Sequence, residues 1–145
     1  MQPISIVLKK ERMKIKMVEK ILTMKLLKEK YGVCRLDKSE LIPEWAMESD
    51  FFSITKTLDE LSIVCSKDSI PNSVKCENDW RILKIEGPLD FSLIGILASI
   101  SVILAQNAIS IFAISTYDTD YILVKNKDIN NAISSLIKER YEIID

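Results

Sequence analysis

The 145-residue sequence contains no histidine and only three glycines, Gly32, Gly87 and Gly95. Histidine is the side chain that most often serves as a general base near neutral pH, so its absence removes the commonest catalytic arrangement. The glycines are too few and too scattered for a P-loop or a GxGxxG turn, and no GxSxG nucleophile elbow is present. We therefore expect a protein that is not an enzyme and that binds no cofactor.

Cysteine and long apolar runs are also scarce. Cys34, Cys65 and Cys76 form no CxxC pair, and without histidine the usual zinc sites have no ligand set. We expect reduced thiols in a cytoplasmic protein, with Cys34 a small buried hydrophobe rather than a reactive thiolate. The longest apolar run, residues 93–105, is too short to span a bilayer, and the N-terminus lacks the apolar segment of a signal peptide.

Positive charge is concentrated near the N-terminus. Residues 1–30 hold nine Lys or Arg against three Glu, whereas the remainder holds eleven basic and eighteen acidic residues. An acidic body would repel nucleic acids and anionic membranes, so neither is expected as a partner. We interpret residues 1–23 as a solvated basic extension; the alternative is a segment that contacts nucleic acid or membrane.

The second half of the sequence has the pattern of one α+β unit. A strand, a helix, two strands, a second helix and a last strand are predicted, in that order, over residues 80–87, 92–107, 110–116, 121–125, 128–140 and 141–144. The order βαββαβ is that of a ferredoxin-like unit, an antiparallel sheet with two helices on one face.

The first helix of this unit is apolar almost all round. It carries two apolar stripes, the first formed by Leu93, Ile96, Leu97, Ile100 and Leu104, and the second by Ile94, Ala98, Val102 and Ala105. A helix that is apolar on both sides is covered on both sides. In a chain this short, we expect the second cover to be another subunit, which predicts a homodimer through the second unit.

The first half repeats part of this pattern. Residues 52–64 match residues 112–124 at an offset of 60 (112 minus 52), with Thr55 over Ser115. Prolines interrupt the places where helices would lie, so this copy is degenerate, and strands over 24–29 and 31–36 are predicted to complete its sheet. The prediction is therefore an α+β chain of two tandem ferredoxin-like units, spanning 24–79 and 80–145 after the extension.

The two apolar strands of the second unit are joined by the polar run 115–120, which is either a turn or also part of a site. Asp118 and Asp120 could chelate Mg²⁺, but turn formation is the commoner role of such a pair, and no metal is predicted. Upstream, the start of the helix offers free N–H groups that suit a carboxylate, and Asp90 could meet an amine or simply cap the helix.

Residues 80–133, with the runs EGPLDFS, GILA and ISIFAISTYDTDYILV, resemble the second ACT domain of a bacterial tandem-ACT family. That family is similar to each half of the CASTOR-type arginine sensors and, more distantly, to the regulatory domains of aspartate kinases. Residues 31–46 and 51–65 resemble its first ACT-like unit. The match begins near Met24, which makes Met24 an alternative start of the chain.

The resemblance implies a non-catalytic regulatory sensor that binds a free amino acid between ACT units, at a dimer interface. Carried over to this sequence, it implies ten ligand-binding residues: Asp90, Phe91, Leu93, Ile94, Gly95, Ile96, Ser115, Thr116, Tyr117 and Asp118. The identity of the amino acid does not follow from it. The alternative function is a protein-interaction or dimerisation module without a small-molecule ligand.

Overall fold

The structure is a computed structural model that describes residues 22–86 and 95–145. Within these ranges the chain forms eight strands, two α-helices and three short 3-10 helices. The strands are β1 (Thr23–Leu26), β2 (Tyr31–Leu36), β3 (Ser53–Lys56), β4 (Leu61–Ser66), β5 (Cys76–Ile85), β6 (Ile111–Ser115), β7 (Asp120–Lys125) and β8 (Glu142–Ile144). The α-helices are α1 (Ile96–Gln106) and α2 (Ile129–Lys138), and the 3-10 helices span Glu44–Met47, Lys67–Ser69 and Asn126–Asp128.

A single eight-stranded sheet runs through both units because they share β5. The first part of β5 completes the order β3-β4-β2-β5, and the second part pairs with β7, which pairs with β6. Trp80 is the residue at which β5 passes from the first unit to the second, since it pairs with Tyr31 on one side and with Lys125 on the other. The α+β class with ferredoxin-like units is confirmed. The described connections of the first unit contain 3-10 helices where the second unit has α-helices.

The position of β1 corrects one prediction. The sequence predicts that residues 24–29 complete the sheet of the first unit, but β1 lies in the part of the shared sheet that belongs to the second unit, between β5 and β8. Met24 pairs with Ile85 on one side and with Ile143 on the other, and the pairing with β8 is parallel. The local sequence predicts a strand but does not encode which sheet edge the strand joins. The predicted boundary between residues 79 and 80 falls inside β5.

A β-bulge bends β5 where the two units meet. Asn78 and Asp79 together oppose Gly32 of β2, an arrangement of two residues against one. Asp79 has a φ of 67°, a left-handed conformation that Asp adopts more readily than most residues. A bulge also changes which side chains face which side of a strand. Cys76, before it, packs in the outer core of the first unit, whereas Trp80, after it, packs between the units.

Three apolar clusters hold the layers together. In the largest, α1 and α2 cover one face of the second unit's sheet, with Leu104 and Leu136 packed near Ile122. In the second, the helix-free face of this sheet packs against the first unit, which brings Val64 of β4 together with Leu123 of β7. The third covers the outer face of the first unit's sheet. The prediction of two helices on one face is thus confirmed for the second unit.

The helix α1 exposes part of the second apolar stripe predicted from the sequence. Ala98, Val102 and Ala105 are exposed, and Val102 keeps 54% of its accessible surface. Ile94, the fourth member of that stripe, lies outside the described residues. None of the helices in the described ranges is both long enough and apolar enough to cross a membrane.

Candidate ligand-binding site

The polar run 115–120 forms a four-residue hairpin turn, because Ser115 and Asp120 are paired strand residues. The backbone N–H of Thr116 donates to the carbonyl of Thr119 at 2.8 Å, and the Thr116 hydroxyl donates to the same carbonyl at 3.0 Å. The N–H of Thr119 in turn donates to the Thr116 hydroxyl oxygen at 3.3 Å. These hydrogen bonds fix the turn without glycine.

The β3–β4 hairpin of the first unit ends in the same kind of turn. The N–H of Thr57 donates to the carbonyl of Glu60 at 2.9 Å, and the Thr57 hydroxyl accepts from the N–H of Asp59 at 3.1 Å. Thr57 therefore corresponds to Thr116, and Asp59 to Asp118. The structural offset is 59 (116 minus 57) rather than the 60 expected from the sequence.

The turn is tied to the end of β5. Thr119 is 4% exposed, and its hydroxyl donates a 2.6 Å hydrogen bond to the carbonyl of Ile85. Glu86, which follows Ile85, is also fixed, since its N–H donates to the carbonyl of Thr23 at 2.8 Å. The turn thus lies beside the point where the chain leaves β5 towards α1. These two regions carry all the residues predicted to bind a ligand.

The predicted residues of the turn are at the surface. Ser115, Thr116, Tyr117 and Asp118 are all exposed, and the side chain of Tyr117 is among the most exposed apolar groups, at 82%. A carboxylate at the tip of a rigid turn can accept hydrogen bonds from an ammonium or guanidinium group. The turn therefore presents hydroxyl and carboxylate oxygens from one compact segment.

The predicted residues before α1 are only partly described. Asp90, Phe91, Leu93 and Ile94 lie outside the described residues. Gly95 is the N-cap of α1 with a φ of 82°, which explains a glycine at this position by its left-handed backbone. Ile96 is 6% exposed and packs in the helix-covered core. The described helix starts at Ile96, and the predicted start at residue 92 lies outside the described residues.

Ser115 lines a cleft between the two units that the sequence did not reveal. The cleft has a volume of about 270 Å³, and its other wall carries the hydroxyls of Ser53, Thr55 and Ser62. Thr55 and Ser62 are cross-strand partners in β3 and β4. The alternation of polar residues in β3 is the signal that could have identified this wall.

A second cleft combines aromatic rings with charges of both signs. Its volume is about 490 Å³, and the ring centres of Phe51 and Tyr121 are 4.6 Å apart within it. Burial, together with the nearby carboxylates of Glu29 and Asp50, raises the pKa of Tyr31 to about 12. Lysines and carboxylates around an apolar floor complement a zwitterion, so this cleft is a second location to test.

Neither metal nor thiolate chemistry is supported where the structure describes the chain. Over residues 22–86 and 95–145, no group of three or more Cys, Asp or Glu side chains is placed to hold a metal ion. Cys34 is buried, and burial raises the pKa of its thiol well above the usual range. A buried, protonated thiol is a poor nucleophile, in agreement with the expected structural role of Cys34.

Comparisons with known families match both halves of the chain. The profile of the ACT domain family matches residues 75–138, and a profile described as an N-terminal domain matches residues 29–73. The cytosolic arginine sensor for mTORC1 subunit 1 of Bos taurus is 28% identical over 100 residues, covering 61% of this chain. The chain spans about 30% of the length of that relative.

Solved structures match over most of the chain. The crystal structure of protein Atu0741 from Agobacterium tumefaciens is 40% identical, with a TM-score of 0.81 over 85% of this chain and 92% of that protein. A Vibrio cholerae protein of unknown function, VC0802, shares the fold at 16% identity and a TM-score of 0.74, covering 88% of this chain and 97% of its own. The aspartate kinase of Clostridium acetobutylicum shares it at 15% identity and a TM-score of 0.61, over 82% of this chain and 34% of the kinase.

Proposed function

The chain belongs to the family of ACT-domain proteins that includes Atu0741 of Agobacterium tumefaciens, and we propose that it is a non-catalytic, cytoplasmic sensor of a free amino acid. The ligand binds between ACT units at the interface of a homodimer. The ACT match and the distant similarity to an arginine sensor support a regulatory role in which an amino acid is bound.

The observation that carries the proposal is the hydrogen bond from Thr119 to Ile85. It anchors the turn with Asp118 beside the end of β5, from which the chain runs towards the helix N-terminus. Backbone N–H groups near a helix N-terminus attract a carboxylate, and the Asp118 carboxylate attracts an ammonium or a basic side chain. In the proposed site, these groups serve as partners of opposite charge for the two ends of an amino acid.

The exposed stripe of α1 supports the homodimer. Ala98, Val102 and Ala105 form an apolar surface on a helix whose other side is already buried in the core. Small residues allow a second helix to approach closely, which favours packing against a copy of the same helix. In the proposed dimer, the second subunit supplies the other side of the ligand site.

A thermal-shift scan of the full chain against every standard amino acid tests this proposal, with hits confirmed by calorimetry. A ligand that binds only the native state raises the unfolding free energy by about 2.7 kcal/mol at a roughly 100-fold excess over Kd. We expect a selective shift that is lost in Asp118→Ala. Asp59→Ala is the matched control, because Asp59 occupies the equivalent turn position in the first unit and should leave the shift unchanged.

Other outcomes decide against this site. A shift that survives Asp118→Ala but is lost in Asp50→Ala places the ligand in the aromatic cleft between the units. No shift for any amino acid, from a folded dimer, favours the second candidate function, a dimerisation or protein-interaction module. The apolar stripe of α1 is the observation that supports this second candidate.

A further inference from the structure

Four lysines converge at the bulge where the two units share β5. They are Lys30, Lys67, Lys125 and Lys127, and with Asn78 and Asp79 they line a cleft of about 620 Å³. The lysines come from distant parts of the sequence. Lys30 precedes β2, Lys67 follows β4, and Lys125 and Lys127 lie at the end of β7 and just beyond it.

The fold holds these lysines in place by direct contacts. The backbone N–H of Lys67 donates to the carbonyl of Lys30 at 2.9 Å, which fixes two of the lysines next to each other. Lys125 is positioned by a cation–π contact, since its ammonium nitrogen lies 4.5 Å from the centre of the buried Trp80 ring. The bulge itself positions Asp79, whose left-handed φ turns the strand at this point.

Positive charge exceeds negative charge in the cleft. Its lining residues carry four ammonium groups and one carboxylate, that of Asp79. Asp79 is engaged by Lys67 at 2.6 Å, and Lys125 lies 3.7 Å from Glu77 at the margin. Neither Lys30 nor Lys127 forms an ion pair with any residue that the structure describes. Because residues 31–145 carry an excess of acidic groups, this local surplus of lysines runs against the composition around it.

We propose that this lysine cleft binds a small molecule that carries two or more phosphate groups. Ammonium groups are point-charge donors that bind phosphate oxygens, and the amides of Asn78 and Asn126 add neutral donors. The cleft volume lies within the range of small-molecule sites. Since no aromatic ring is among its lining residues, the phosphates rather than a stacked base provide the recognition.

This site is separate from the proposed amino-acid site. The turn with Asp118 precedes β7, whereas Lys125 is the last residue of β7. Five residue steps along a strand at about 3.3 Å each place the two ends roughly 17 Å apart. A test of phosphate binding at the lysine cleft is therefore independent of a test of amino-acid binding.

Isothermal titration of the full chain with pyrophosphate, ATP, orthophosphate and a short ribo-oligonucleotide tests the proposal. We expect saturable binding of pyrophosphate or ATP, weaker binding of orthophosphate, and a Kd that rises with ionic strength. The double variant Lys30→Gln/Lys127→Gln should weaken binding at least about tenfold, since each removes a charge-assisted contact. Lys38→Gln/Lys138→Gln is the matched control, because it removes the same charge from exposed lysines outside the cleft.

The outcomes separate the possible sources of phosphate. Equal affinity for pyrophosphate and ATP supports recognition of the phosphates alone, whereas a clear preference for ATP supports a nucleotide as the ligand. Equal loss of affinity in both double variants would mean a general charge effect and would overturn the site. Absence of saturable binding at millimolar concentrations, or binding of a ribo-oligonucleotide but of none of the small phosphates, overturns it as well.

Discussion

The sulfur atoms of Cys34 and Cys76 lie 3.3 Å apart across β2 and β5, where the two residues are direct partners. The adjacent pair is hydrogen-bonded, since the N–H of Arg35 donates to the carbonyl of Lys75 at 3.0 Å. Cys34 and Cys76 therefore occupy a non-hydrogen-bonded position, where Cα atoms are about 4.5 Å apart. This spacing lies within the range of about 4.4–6.8 Å that a disulfide requires.

We predict that these two cysteines form a disulfide on treatment with diamide, with the half-buried Cys76 reacting first and the adjacent Cys34 sulfur then closing the bond. Treatment with diamide should remove two free thiols and leave Cys65 reduced, as the diazene takes up the two protons and two electrons that the thiols release. Peptide mapping by mass spectrometry identifies the bond. The bond should still form in Cys65→Ala and should be absent in Cys34→Ala. A disulfide that involves Cys65 in the native protein would contradict the geometry.

Stability should decline at alkaline pH. Burial raises the pKa of the Cys65 thiol to about 11 and that of Tyr31 to about 12, so the folded state keeps both groups neutral longer than the unfolded state does. Their contribution is fully present below the ordinary values of 9.0 and 10.0 and is lost as the pH rises through the folded-state values. Urea unfolding at a series of pH values measures this decline.

Tyr31→Phe separates the phenol from the other groups. It keeps the aromatic ring in the core and removes the titrating hydroxyl, so the fall in unfolding free energy above pH 10 should be shallower than in the wild type. An unchanged slope would show that Tyr31 ionises equally in both states.

Thr119→Val should destabilise the protein by about 1–3 kcal/mol, because it leaves the buried carbonyl of Ile85 without its donor. Thr119→Ser keeps the hydroxyl and should restore most of that loss. Urea unfolding compares the three proteins. Equal stability of Thr119→Val and the wild type would mean that the turn is not anchored to β5 through this hydrogen bond.

Val102→Arg should shift a homodimer towards monomer, because a charge in the centre of an apolar interface is left unpaired. Sedimentation velocity at several protein concentrations measures the change. Leu58→Arg is the matched control, since Leu58 is 89% exposed in the β3–β4 turn, away from α1. Dissociation of the dimer in Leu58→Arg but not in Val102→Arg would place the interface in the first unit instead.

Much of the fold could be predicted because periodicity is a local signal. The alternation around residues 110–125 and the helical spacing around residues 128–140 correspond to β6, β7 and α2. The partner of β1 could not be predicted, since Met24 and Leu26 would suit any buried sheet position. The bulge could not be predicted, because no local pattern marks Asp79 as left-handed; the structure shows that a Cβ at Gly32 opposite it would clash with Cys76 and Asn78.

The candidate sites also differ in how far a local sequence pattern identifies their residues. Ser115 to Asp118 are consecutive, so the sequence alone could single them out. The hydroxyl wall and the lysine cleft gather residues such as Thr55, Lys30 and Lys127, which only the shared sheet brings near their neighbours. The alternation in β3 places Thr55 on one side of that strand, but only the fold shows that Thr55 lies opposite Ser115 and that Lys30 lies near Lys127.

Because β5 belongs to both halves, the chain has no dispensable half. Excision of either unit would strip a strand of its neighbours along part of its length and leave unpaired backbone groups. We therefore expect the two units to unfold in one transition, and a distortion of β5 in one unit to reach the other along the same strand. The two repeated units thus form one mechanical unit rather than two domains joined by a linker, because both are built on β5.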